Sequence, residues 1–153
     1  MLSLIDSLTQ EHHRLRQLLQ GCEAAAPSEL RGSLGPLRQT FVALKGVKER
    51  LYGDADAACR AEGDDSGLIV LGILCRNTLV MSDAILSFLA NLDSVPDAHL
   101  QPRFRTVAQA MRSVLDVEER SLFPLCQRHA SPPAVVPPAE ELSAGASARR
   151  VSA

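Results

Sequence analysis

His12 interrupts an apolar stripe. Ile5, Leu8, Leu15, Leu19 and Cys22 recur around it in steps of three and four, the spacing of one helix face. Glu118 interrupts a later stripe between Val114 and Leu122, and Thr78 and Ser82 interrupt another. A carboxylate turned toward a core is costly without a partner, and an imidazole on a neighbouring helix would supply one. Two chemistries follow. A hydrogen-bonded His–Glu pair would hold helices in register. Alternatively, inward-facing Glu and His from bundle helices are the donors of di-iron sites. His12 and Glu118 are therefore the candidate metal-ligating residues, with His13 about 100° away and expected to face solvent.

Other reactive groups are scattered. Cys22, Cys59, Cys75 and Cys126 contain no C-x-x-C pair, so neither a disulfide framework nor a zinc cluster is signalled. Reduced thiols packed as small hydrophobes are expected, and with them a cytoplasmic location. Cys126 and His129 stand three residues apart, near where an adjacent helix would end with Cys59. A thiol–imidazole cluster there would be a redox sensor or an adventitious metal site, though unrelated buried residues are the commoner outcome. No nucleophile set or glycine-rich phosphate loop is present, so no enzyme activity is expected. An acidic stretch (Asp54, Asp56, Glu62, Asp64, Asp65) and a modest basic face (Arg103, Arg105, Arg112) suit self-association or a protein partner.

The elements that must position these groups are helices. The 153 residues suffice for one domain, and 46% are hydrophobic while only 3% are aromatic. Leu and Ala carry the apolar content, which excludes a sandwich or barrel rich in β-branched and aromatic residues. A formal charge of -2 gives no support for nucleic-acid binding. The longest apolar run, Gly67 to Cys75, is about half of the ~20 residues a membrane span needs, and MLSLIDSLTQ lacks a basic secretory n-region.

Four helical segments are expected. The first ends near Gly21 and Pro27. The second carries Leu30, Leu34, Leu37, Phe41, Leu44, Val47 and Leu51 to about Glu62, with a break at Gly35-Pro36 so that it begins in earnest at Pro36. The third follows a turn at Gly63 to Ser66, and Asp93 to Pro102 closes it. The fourth runs from about Arg103 to Arg128, with Pro124 kinking or ending its ladder. Short links make an up-down-up-down four-helix bundle over residues 1–129 the expected fold. Residues 130–153, with four of the nine prolines, read as a mobile tail.

The segments LIDSLTQEHHRL and VLDVEERSLFPL, with a weaker echo in VKERLYGDA, resemble the hemerythrin-like (HHE) family over about residues 2 to 129. That resemblance implies an inward His on helices one and three, and a His-x-x-x-Glu pair on helices two and four. On it, His12 and Glu118 match ligands, while Val114, Ala43, Val47 and Ser82 (or Asp83) stand where others would be. It therefore implies a bundle whose metal centre has degenerated: no cofactor, and a non-enzymatic sensing, regulatory or interaction role linked to redox, iron or stress. The alternative it leaves is an iron protein responsive to oxygen or NO. Phe41 to Gly46 also resembles the box of histidine phosphotransfer domains, but Val42 stands where the phosphorylated His would be, so that chemistry is not expected.

Overall fold

Ser3 starts the first helix. Its hydroxyl accepts the Asp6 N–H at 3.1 Å, and the Asp6 carboxylate accepts the Ser3 N–H at 3.0 Å, a reciprocal cap. The computed structural model describes residues 3–130, so the expected tail lies outside the described residues except for Ala130. Helix α1 is Leu4–Ala24, α2 is Pro27–Glu62 and α3 is Asp65–Ala90. A single 3-10 turn at Leu92–Ser94 leads into α4, Asp97–Val117. A π-helical turn at Glu118–Leu122 then joins α4 to α5, Phe123–Ala130, as one continuous rod. The described chain is all-helical, without a strand.

Helix α2 packs against α1 and α3, α4 packs against α3 and α1, and α5 packs against α2. The stripes read from the sequence are the packed ones. Leu8, Leu15 and Leu19 of α1 meet Leu34 and Leu37 of α2 and Phe104, Met111 and Leu115 of α4 in one cluster.

Two boundaries differ from expectation, each for a packing reason. Helix α2 does not break at Gly35-Pro36; it begins at Pro27 and runs unbroken for 36 residues. An interior proline costs about 3 kcal/mol through its missing N–H. Leu30, Leu34 and Leu37 bracket the interruption at no more than 2% exposure, and each such side chain contributes roughly 1.5–3 kcal/mol by burial. The stripe outweighs the break. Helix α4 begins at Asp97, not near Arg103, because Leu100 and Phe104 continue its buried face through Pro102. At Pro124 the ladder widens and continues: the Phe123 N–H donates to the Glu118 carbonyl, five residues back, one turn before the proline.

Arg31 ties the α3–α4 connection to α2. Its guanidinium donates to the carbonyls of Leu92 and Val95, the latter at 2.7 Å, and to the Asp97 carboxylate at 2.8 Å. These charge-assisted bonds add to the short-range backbone bonds of the turn, such as Ser94 N–H to Asn91 and Val95 N–H to Leu92. Arg31→Met is expected to cost about 1–3 kcal/mol in a denaturant melt. An unchanged midpoint would mean that the connection holds itself.

One helix among the described residues, α3, is long and apolar enough by length and composition to cross a membrane. The uninterrupted run Gly67 to Cys75 understated this. The outer side of α3 is also apolar, with Ile69, Val70, Ile73 and Val80 about half exposed or more.

Candidate functional site

The carboxylate of Glu118 is almost sealed from solvent, at 2% exposure, and it meets polar side chains of α1 and α2. His12 of α1 is fully buried, and its Nε2 lies 3.2 Å from Glu118 Oε2. Helix α2 supplies two further partners. Lys48 Nζ donates to Oε2 at 2.5 Å, and the Tyr52 hydroxyl donates to Oε1 at 2.6 Å. Both oxygens of the carboxylate are thus engaged by protein groups.

A second carboxylate completes the arrangement. His12 Nδ1 lies 2.9 Å from Glu119 Oε1; a carboxylate there is an acceptor, so Nδ1 carries the proton and donates. Arg16, one turn on, donates to the same Glu119 oxygen at 2.7 Å and to Asp116 at 2.9 Å. His12 is therefore held between consecutive carboxylates, at the π-helical turn where α4 widens. The Phe123 ring, 5.1 Å from the imidazole centroid, packs against it, and the Phe41 ring lies 5.9 Å from the Lys48 ammonium.

The electrostatics follow from this geometry. Burial alone would push the Glu118 carboxyl up. The contacts with His12, Lys48 and Tyr52 outweigh burial and hold it below its ordinary value of 4.5. Glu119 is lowered likewise, with Arg16 and His12 outweighing its desolvation. Burial first, and the Glu118 charge second, push Tyr52 far above the usual phenol range, so it remains a donor. Both carboxylates are easier to ionise folded than unfolded. Their stabilisation is full above about pH 4.5 and drains away as pH falls through the lower folded values. Thermal melts should therefore be level from neutral pH down to about 5 and decline steeply below 4.5; a midpoint independent of pH down to 3.5 would contradict this pairing.

The sequence pairing of His12 with Glu118 describes a real contact, but an incomplete one. Ala43 and Val47, read as the inward residues of α2, are exposed and half-buried respectively; Lys48 and Tyr52 point inward instead. Ser82 is half-buried, and Asp83 is exposed on Lys45 at 3.0 Å, so Thr78 is the polar residue that α3 buries. Its hydroxyl donates to the Leu74 and Cys75 carbonyls of its own helix and does not reach Glu118. Val114 is fully buried, as expected of core. His13 is exposed and lies beside Gln17.

Lys48 was legible in principle. It continues the α2 spacing Phe41, Leu44, Lys48, Leu51, Ala55, but apolar periodicity favoured its apolar neighbour Val47.

The donor set does not fit a di-iron centre. Only His12, Glu118 and Glu119 are ligand types. Although His12 Nε2 has no hydrogen-bond partner, the Lys48 ammonium already supplies, at 2.5 Å, the positive charge a metal would bring to Glu118. A cavity of about 20 Å³ beside Glu118, lined by Phe41, Lys48, Tyr52 and Thr78, has room for roughly one water.

All four cysteines are free thiols; burial pushes Cys126 up to about 12 and Cys75 up to about 11, which keeps both protonated at neutral pH. Cys59 and His129 do meet, together with Asp64, while Cys126 is buried outside that group. Val42 of the Phe41–Gly46 stretch is half exposed. Arg112, from the basic face, forks onto Glu23 at 2.7 and 2.5 Å. Comparison with protein-family models, with curated proteins and with solved structures finds no match to this chain.

Proposed function

We propose that this protein is a hemerythrin-like, up-down-up-down bundle whose metal centre has been replaced by an internal ion-pair network, and that it acts as a cytoplasmic, non-enzymatic sensing or interaction module. One observation carries this reading: Lys48 Nζ stands 2.5 Å from the buried Glu118 carboxylate, where relatives of the resembled family would hold a cation. Lys48 and Tyr52 are four apart on α2, the spacing of that family's His-x-x-x-Glu pair, and Val114 and Glu118 have the same spacing on the α4 rod. On this alignment ammonium, phenol and valine replace three ligands. The network supplies electroneutrality without metal. Its one-water cavity leaves no space for an organic substrate beside Glu118. The outer side of α3, with Ile69, Ile73 and Val80 exposed, is the surface suited to a partner or a second copy.

Metal analysis and a visible spectrum of aerobically purified protein test the reading. The expected result is substoichiometric iron and no oxo-bridged charge-transfer band. Stoichiometric iron with that band would overturn it in favour of an iron protein responsive to oxygen or NO, with His12 and Glu118 among its ligands.

A further inference from the structure

The turn between α2 and α3 brings three different donors to one point. Gly63, at φ 69, reverses the chain, and the Asp64 N–H returns to the Cys59 carbonyl at 2.9 Å. Asp64 is thereby folded back over the last turn of α2. Its Oδ1 accepts the Gly67 N–H at 2.9 Å and caps α3, which leaves Oδ2 free to face His129 Nε2 at 3.2 Å. His129 comes from the last turn of α5, 7% exposed, and Cys59 is 1% exposed. One ligand atom each from Cys59, Asp64 and His129 lies within 4.8 Å of the others.

We propose that Cys59, Asp64 and His129 form a binding site for a divalent transition-metal ion of the zinc class. The site is separate from the Glu118 network and uses none of its residues. Three points argue for it. First, Glu62 Oε2 lies 2.8 Å from His129 Nδ1 and can accept its N–H; in the neutral imidazole this leaves the Nε2 lone pair toward Asp64 and Cys59. A carboxylate on the far nitrogen is the arrangement that orients metal-bound histidines. Second, that lone pair faces a carboxylate oxygen across 3.2 Å, an arrangement that calls for a positive charge between or beside the two. Third, the donors select the ion: thiolate, imidazole and carboxylate together suit zinc or cobalt, whereas calcium and magnesium take oxygen ligands.

Tetrahedral zinc holds its ligand atoms about 3.3–3.8 Å apart, so closure needs a contraction of roughly 1 Å from the present spacing. Asp64 and His129 both sit at element ends, where that movement is least resisted. Three protein ligands leave a fourth position for water, and Asp64, about two-fifths exposed, opens the site to solvent. Asp56 and Glu62 of α2 and Asp64 make the surroundings of the Cys59 thiol negative, opposed by Arg128 of α5. Metal binding would displace the thiol proton to solvent and form the metal–sulfur bond in its place.

The rival explanation is a protonated His129 bridging Glu62 and Asp64 with no metal affinity. Titration of the full-length, chelator-treated protein with Co²⁺ and Zn²⁺ decides between them. Expected are one equivalent bound, a near-ultraviolet sulfur-to-cobalt band that Zn²⁺ bleaches, and a rise in melting temperature with Zn²⁺ but not with Mg²⁺. Cys59→Ser should abolish the band and, with it, the rise in melting temperature that Zn²⁺ brings. Glu62→Gln should weaken binding by about 10–100-fold. A band that persists in Cys59→Ser, or Zn²⁺ affinity unchanged in a Cys59→Ser/His129→Gln protein, would overturn the site. Should His129→Gln prevent folding, the spectrum of Cys59→Ser alone still separates the two explanations.

Discussion

Glu118→Leu lowers the unfolding free energy by about 3–5 kcal/mol, on the order of 10–20 °C in melting temperature for a domain of this size. The loss does not come from the deleted carboxylate itself. It comes from what remains: the buried Lys48 ammonium loses its counter-ion, and the Tyr52 hydroxyl and His12 Nε2 lose the group they face. A buried charge without a partner is among the costliest defects a core can hold. The triple substitution Glu118→Leu, Lys48→Met, Tyr52→Phe should therefore recover most of the stability, because an apolar set of similar volume replaces the carboxylate, ammonium and phenol while His12 keeps Glu119. Sequence alone suggests replacing only Glu118 and His12 together as the rescue. The structure corrects this, since that pair of changes strands Lys48. Melts of the single, the His12/Glu118 double and the triple variant order these outcomes. A wild-type midpoint in Glu118→Leu would show that the carboxylate is solvated.

The opposite sign is expected at the middle of α2. Gly35→Ala with Pro36→Ala should stabilise the protein by about 2–3 kcal/mol, roughly 6–12 °C. Proline and glycine inside a helix are disfavoured against alanine by about 3 and 1 kcal/mol; Pro36→Ala returns part of this by loosening the unfolded chain, whereas Gly35→Ala restricts it. Both positions are exposed, so no packing is lost, and a Cβ at Gly35 meets nothing within 4 Å. Alanine at 36 also restores an N–H for the Gly32 carbonyl. The measurement bears directly on architecture. If α2 were broken at Gly35-Pro36, as the residue types alone suggest, these substitutions would be neutral or destabilising.

What could be read from the chain follows the range of each interaction. A helix face is local, so four apolar stripes, the turn at Gly63 to Ser66, and the seam positions of His12 and Glu118 were all legible. The break expected at Gly35-Pro36 does not form, because local propensity competes with the buried leucines on either side and loses. Lys48 escaped because a lysine in an apolar period looks like an error until a carboxylate on another helix stands level with it. Glu119 escaped for a related reason: the widening of the helix before Pro124 lets consecutive carboxylates both reach one imidazole.

By itself the sequence determined that the described chain is helical and which side of each helix is buried, since both depend on residues three or four apart. Tertiary structure alone decided which polar groups meet. Lys48, Tyr52, His12 and Glu118 come from three helices, and Cys59, Asp64 and His129 from two helices and a turn. Their encounters depend on the relative height and rotation of packed rods, and no spacing along one rod encodes those.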